Sequence, residues 1–358
     1  MTERGRRPGQ SGAAGGAGKR RAGGAGTGGT GGAGKHGRPA GKYGPGAAGR
    51  QGADAAGHTP ADRARPPRPH ALRRYGQNHL VDLNILAAIV RQAAVTADDV
   101  VLEVGAADGQ LTRPLLERAR LVHAFEVDHR YASRLAALAT RHPNLRVHQG
   151  DALRHDLAAL DPPVTALVAN LAYNIAIPLI MTTIADLPDL QRWAVMVQKE
   201  LAERLFAAPS TKAYSSVSVL TQLACRCDEV RPVGPAAFRP RPRVDSSFVT
   251  FARRSPAEGG AADGQPALSR EQYAAMSPLV KLAFGQRRKV LTNTLAGASR
   301  GGLSVSRDAV RAALEELGLG HSARPEELTP GQWVLLARCL GWFEAPAPGQ
   351  TDGAGHGA

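Results

Sequence analysis

The chain has 358 residues, with 45 Lys and Arg against 31 Asp and Glu and a formal net charge of +14 at pH 7. Its three cysteines, Cys225, Cys227 and Cys339, are an odd set without metal-ligand spacing, which argues against a disulfide-stapled secreted scaffold and against a zinc module. No apolar run is long enough to span a membrane, so a protein of a reduced, cytoplasmic compartment with one large or two medium domains is the reading that remains.

Residues 1–70 are built from Gly, Ala, Arg and Pro without apolar periodicity, and such a segment cannot bury enough surface to offset its chain entropy. It is read as a disordered basic tail. It holds 13 Lys and Arg against 3 Asp and Glu, hence +10 of the chain's +14. A cationic arm of this kind raises affinity for nucleic acid by releasing counterions, without reading sequence. A solubility tail is the plain alternative. A leader is disfavoured, because no amphipathic helix or apolar core accompanies the arginines.

From 71 to 254 short apolar runs ("VVLEVG", "LVHAFEVD", "LRVHQGDA", "TALVANLAYN", "RWAVMVQKE", "SSFVTFARR") alternate with helical stretches such as "QLTRPLLERA" and "HRYASRLAALATRH". Nearly continuous apolar strands joined by helices predict an α/β fold with an open parallel sheet covered on both faces. In "VVLEVGAADGQLT" a strand is followed by a turn holding Gly105 and Gly109 and then by a helix, a place where a ligand can approach the main chain closely. The turn lacks the full dinucleotide-binding fingerprint, with Ala107 where a middle glycine would sit. Glu126 ends the next strand, about 20 residues on, where a carboxylate accepts both hydroxyls of a ribose. Asp151 ends a third strand and is able to accept from an adenine amino group. Three strand ends delivering polar groups to one carboxyl edge predict a cofactor containing a nucleoside. NAD is one candidate, but no hydride-transfer constellation follows it. The fourth strand runs into "NLAYN" (170–174), which is either an Asn-rich turn or a grip for a planar amine.

The Gly/Pro/Ala run 255–267 reads as a linker. Beyond it, 268–343 carries helical patterns only, with Ser304 or Ser306 as a helix start, and predicts a small all-helical C-terminal domain. Residues 344–358 are read as a second disordered tail.

Taken together, "YGQNHLVD" (75–82), "EVGAADGQLT" (103–112), "EVD" (126–128), "GDA" (150–152), "NLAYN" (170–174), "QKE" (198–200), "KAYSSVSVLTQ" (212–222) and "AFRPRPRVDSSFV" (237–249) resemble, in order and spacing, the ribosomal RNA adenine N6-dimethyltransferases. The likeness runs through the whole folded part, and "KLAFGQRRKVLTNTL" (281–295) is similar to the start of that family's helical C-terminal domain. It implies a Rossmann-like methyltransferase sheet with S-adenosylmethionine as cofactor and no metal. By position it implies that Gln77, Asn78 and Leu80 fold over the cofactor, with Gly105 in the turn, Glu126 on the ribose, Asp151 at the adenine amine and Asn170 at the site of methyl transfer. The family's fourth motif usually reads N-L-P-Y-N and its glycine turn E-x-G-P-G. Here Ala172, Ala106 and Ala107 depart from both, which loses a fixed φ at 172 and requires a negative φ or some strain at Ala107.

In the resembled chemistry the Asn170 side-chain carbonyl and the Leu171 main-chain carbonyl accept the two N–H groups of an adenine amine and free its lone pair for attack. Tyr173 stacks on the extruded base, with Phe238 as a second wall. The RNA surface is expected from Arg73 and Arg74, from Arg239, Arg241 and Arg243 in an extended proline-spaced loop, and from Arg287, Arg288 and Lys289 on the first C-terminal helix. The implied activity is dimethylation of two adjacent adenosines in the 3′-terminal hairpin loop of small-subunit (16S) ribosomal RNA, by a monomer acting on a pre-30S particle. A large-subunit (23S) methyltransferase conferring macrolide-type resistance is the nearest rival, and "KAYSSVSVLTQ" resembles it less well. An RNA-binding assembly factor with secondary catalysis is the alternative of another class.

Overall fold

The computed structural model describes residues 78–254 and 268–344. Both predicted tails apart from Glu344, the predicted linker, Arg73, Arg74 and Gln77 lie outside the described residues.

The described chain opens with a two-residue strand, β1 (His79–Leu80), and helix α1 (Leu83–Gln92). Asp82 starts α1 by accepting from the N–H groups of Asn84 and Ile85 at 2.9 and 3.2 Å. Alternating units follow: β2 (Val100–Val104), α2 (Thr112–Leu116), β3 (Leu121–Glu126), α3 (His129–Ala139), β4 (Leu145–Gln149), β5 (Ala166–Asn170), α4 (Ala176–Asp186), β6 (Arg192–Gln198), α5 (Lys199–Leu205) and α6 (Ser216–Ala224). Every residue of β2 and β3 is buried, as expected of strands covered on both faces. Alternation then sorts their side chains into two cores. Val100, Leu102 and Val104 face α4, α6 and the C-terminal helices, while Val101 faces the other way with residues of α1, α2 and α3.

The sheet closes with β7 (Cys225–Val233), β8 (Phe238–Arg239) and β9 (Ser246–Arg253), of which β8 pairs outside it with β1. Its order is β4-β3-β2-β5-β6-β9-β7. The expected α/β architecture is present, with one correction: the sheet is mixed. β4 to β6 run parallel, whereas β9 lies antiparallel between β6 and β7. β7 escaped the sequence reading because it is an edge strand, exposed from Arg226 to Pro232, and its charges and proline protect an open edge.

The C-terminal region comprises α7 (Arg270–Gly285), α8 (Leu291–Thr294), a short hairpin of β10 (Ser299–Arg300) and β11 (Leu303–Ser304), α9 (Arg307–Glu316) and α10 (Pro330–Cys339). The hairpin interrupts what the sequence pattern predicts as helices alone. Ser306 caps α9 by accepting from Ala309 N–H at 3.0 Å, and α7 and α10 begin in capping boxes, Ser269 with Gln272 and Thr329 with Gln332. The core below α4 and α6 continues into Met276, Leu279, Trp333 and Leu336 of these helices. Among the described residues no helix is long and apolar enough to cross a membrane.

Candidate active site

Chain order leaves β2 for β3 and β4 on one side and for β5 and β6 on the other, so a crevice opens at the carboxyl ends of β2 and β5. A cavity of about 260 Å³ lies there. Its lining includes Gly105, Glu126, Asp151, Asn170, Leu171 and Tyr173, together with Asn78, Leu80 and Phe238. Eight of the predicted cofactor and catalytic positions that are described are thus brought to one place, along with Phe238.

The glycine turn after β2 uses left-handed backbone at three alternate residues: Gly105 (φ +80°), Ala107 (φ +48°) and Gly109 (φ +76°). Ala107 therefore takes the strained alternative, at about 1–2 kcal/mol. The conformation aims its N–H at Glu126, whose Oε2 accepts at 2.8 Å while Oε1 accepts from Asp128 N–H at 2.9 Å. Two main-chain donors thus hold the Glu126 carboxylate in place and leave it lone pairs for further donors. Burial raises its pKa, against the pull of those two N–H groups.

Beside it lies a residue to which the sequence reading gave no role. Glu103, inside β2, is 2% exposed, and its Oε2 has no hydrogen-bond partner among the described residues. Burial pushes its carboxyl up to about 8 against the pull of the Thr112 hydroxyl, with the nearby Glu126 charge adding to the shift. The signal was available: a carboxylate within an apolar strand is expensive unless something pairs with it.

Asp151 follows β4. Its Oδ1 accepts from Leu153 N–H at 3.0 Å, which turns the chain, and its partly exposed carboxylate lines the cavity. Asn170 ends β5, and its Nδ2 donates to the carbonyl of Asn78 at 2.9 Å. That bond fixes the amide plane and leaves Oδ1 without a protein donor among the described residues. Leu171 N–H donates to Met196 O at 3.0 Å, anchoring the loop to β6, and among the described residues no backbone donor claims the Leu171 carbonyl. Half-buried Tyr173 completes this wall, its hydroxyl 3.2 Å from Ser246 Oγ.

The "QNHL" and "FRPRPR" motifs meet through β1 and β8, where Leu80 pairs with Phe238 and His79 with Arg239. Phe238 requires a correction as a stacking wall: it borders the cavity but is 1% exposed and packs in the core with Leu80, Ala237 and Phe248. It seals the cavity floor. Beyond it Arg239, Arg241 and Arg243 are exposed while Pro242 is buried, so the loop turns its arginines outward. Arg287, Arg288 and Lys289 do not lie on a helix, because α7 stops at Gly285. Arg287 is also committed elsewhere: it pairs with Glu326 and donates to the carbonyls of Thr211 and Lys212, both at 2.9 Å. It is a strut between the 211–212 loop and the C-terminal region, whereas Arg288 and Lys289 are exposed and make no ion pair among the described residues.

The family model described as Ribosomal RNA adenine dimethylase matches residues 70–338. The chain belongs to this family. The dimethylase is 41% identical to the Ribosomal RNA small subunit methyltransferase A of Rubrobacter xylanophilus, over 78% of this chain and 98% of that protein. It is 40% identical to the protein of the same name from Kineococcus radiotolerans, over 79% of this chain and 88% of that one. Among solved structures, the dimethylase is similar to a dimethyladenosine transferase from Plasmodium falciparum (TM-score 0.61, 25% identity, 74% of this chain and 98% of that one). It is also similar to the 23S rRNA methyltransferase ErmE (TM-score 0.56, 27% identity, 74% and 99% covered).

Proposed function

We propose that this rRNA adenine dimethyltransferase binds S-adenosylmethionine in the cavity at the ends of β2 to β5 and transfers methyl groups to the N6 amines of two adjacent adenosines of small-subunit ribosomal RNA. The observation that carries the reading is that Asn170 Oδ1 and the Leu171 carbonyl, two acceptors without protein donors among the described residues, line the same cavity as the buried carboxyl groups of Glu103 and Glu126. The donor set suits the cofactor. Glu126 is held with lone pairs to spare for the ribose hydroxyls, Asp151 reaches the adenine amine, and the buried Glu103 Oε2, without a hydrogen-bond partner among the described residues, suits the cationic methionine end. Asn78 and Leu80 close over it.

The cofactor supplies an electrophilic methyl on a sulfonium, so the protein has no difficult bond to activate on that side. Its own work is on the nucleophile. An adenine amine is a weak nucleophile because its lone pair is delocalised into the ring. Asn170 Oδ1 and the Leu171 carbonyl accept its two N–H bonds, draw the nitrogen towards a pyramidal geometry and point its lone pair at the methyl. Tyr173 holds the extruded base by stacking. The methylated nitrogen releases its proton to solvent without a strong base, and most of the rate gain comes from orientation.

Arg239, Arg241, Arg243, Arg288 and Lys289 then supply phosphate contacts that dock the RNA without reading its bases. The reading has the protein act as a monomer on a pre-30S particle. The large-subunit reading has the ErmE likeness in its favour, but the curated relatives named for the small subunit are more similar in sequence. The deciding experiment offers labelled S-adenosylmethionine to both ribosomal subunits isolated without the modification. Label in small-subunit RNA alone supports the reading; label in large-subunit RNA alone overturns it.

A further inference from the structure

We infer that Ser246 is a positioning residue for the target base, acting through the hydroxyl of Tyr173; the inference rests on the functional reading above. Tyr173 sits in the loop after β5, and its hydroxyl lies 3.2 Å from Ser246 Oγ, 73 residues away in sequence. Ser246 is 2% exposed, and Tyr173 is its only side-chain hydrogen-bond partner among the described residues. The two ends of this bond differ in rigidity. Ser246 opens β9 and is paired on both sides, with Gln198 of β6 and Val233 of β7, while the preceding Asp245 carbonyl accepts from Lys199 N–H at 3.0 Å. The Tyr173 loop is held at Leu171 and by Ile175 N–H donating to Ala172 O at 3.1 Å, with the ring projecting between these anchors.

Position 172 makes the tether matter in this chain. Proline would fix φ one residue before the tyrosine, and alanine leaves that torsion free. With Ala172 in place, the hydroxyl bond to the central sheet is what sets the plane of the ring against which the base stacks. A stacking face that tilts misplaces the amine relative to Asn170 Oδ1 and the Leu171 carbonyl, and methyl transfer is sensitive to such a displacement. Docking of the particle depends on phosphate contacts, and cofactor binding on Glu103, Glu126 and Asp151. The tether therefore acts on turnover and leaves both affinities alone.

The test uses the full chain, undermodified small-subunit particles and labelled S-adenosylmethionine. Ser246→Ala is expected to lower kcat about five- to tenfold, the scale of one net hydrogen bond, with KM for the particle and Kd for the cofactor unchanged. Tyr173→Phe, which keeps the ring, is expected to give the same loss, and the double variant no more than either single one, because all three delete one bond. Ser246→Thr keeps the hydroxyl on a strand position and restores most of the rate. Full kcat in Ser246→Ala, or losses that multiply in the double variant, overturns the tether while leaving the functional reading intact. A wild-type chain that transfers no methyl overturns that reading and the tether with it. If Ser246→Ala does not fold, Tyr173→Phe and Ser246→Thr still decide: wild-type kcat in the former, or a Thr variant as slow as the Phe variant, refutes the inference.

Discussion

Replacing Glu103 with glutamine should remove most of a pH-dependent loss of stability from the cofactor-free protein. In the folded chain burial raises this carboxyl from its ordinary 4.5 to about 8, an effect that the Thr112 hydroxyl offsets only in part. Between these two values the folded state holds a proton that the unfolded state has released. Stability is therefore full below about pH 4.5 and falls as pH rises, at up to about 1.4 kcal/mol per pH unit, until the folded carboxyl ionises near 8. Over the whole window the loss is on the order of 3–5 kcal/mol, a large share of a typical domain's stability. Glutamine has the same shape and no charge. Urea unfolding of both proteins at pH 5, 7 and 9 isolates the effect, because every other titrating group is common to the two. The difference is expected near zero at pH 5 and several kcal/mol in favour of Glu103→Gln at pH 9. Parallel stability curves would refute the claim that burial holds the Glu103 carboxyl well above its ordinary value. Saturating S-adenosylmethionine should flatten the wild-type curve, since a cation beside the carboxylate favours its ionised form, and Glu103→Gln should bind the cofactor at least about tenfold more weakly.

Ala107→Gly relieves left-handed backbone at φ +48° and is expected to raise stability by about 0.5–1 kcal/mol in thermal unfolding, with no loss of cofactor affinity; a destabilised variant would contradict the assigned strain. Arg287→Ala breaks the bridge to Glu326 and two carbonyl bonds and should lower stability by about 2–3 kcal/mol, leaving the salt dependence of RNA binding unchanged. Arg241→Ala and Arg243→Ala should do the reverse: stability stays within about 0.5 kcal/mol, and each lowers the slope of log affinity against log salt by about one.

The contrast between Arg287 and Arg288 shows where sequence reasoning reached its limit. In "GQRRK" the three cations read as one patch, and only folding brings Glu326 and the 211–212 carbonyls to the first of them. Phe238 is a similar case, since an aromatic in a proline-rich loop reads as exposed until β1 pairs with β8 and buries it. Glu126, Asp151 and Asn170 were legible because each closes an apolar run, and a parallel sheet sends such ends to one edge. Glu103 was harder to assign because it sits inside its run, where strand periodicity carries no sign of which neighbour lacks a partner. β7 carries the polar composition of an edge strand and so lacks the apolar pattern by which the other strands were read.

The central claim, that Asn170 presents an acceptor to an adenine amine of small-subunit RNA, is tested most directly by mass spectrometry of nucleosides from that RNA. Undermodified particles are incubated with S-adenosylmethionine and either wild-type protein or Asn170→Ala. The account predicts N6,N6-dimethyladenosine with the wild type and, at saturating cofactor and particle, a loss of at least about a hundredfold in the rate of the variant. Dimethyladenosine formed at an undiminished rate by Asn170→Ala would contradict it.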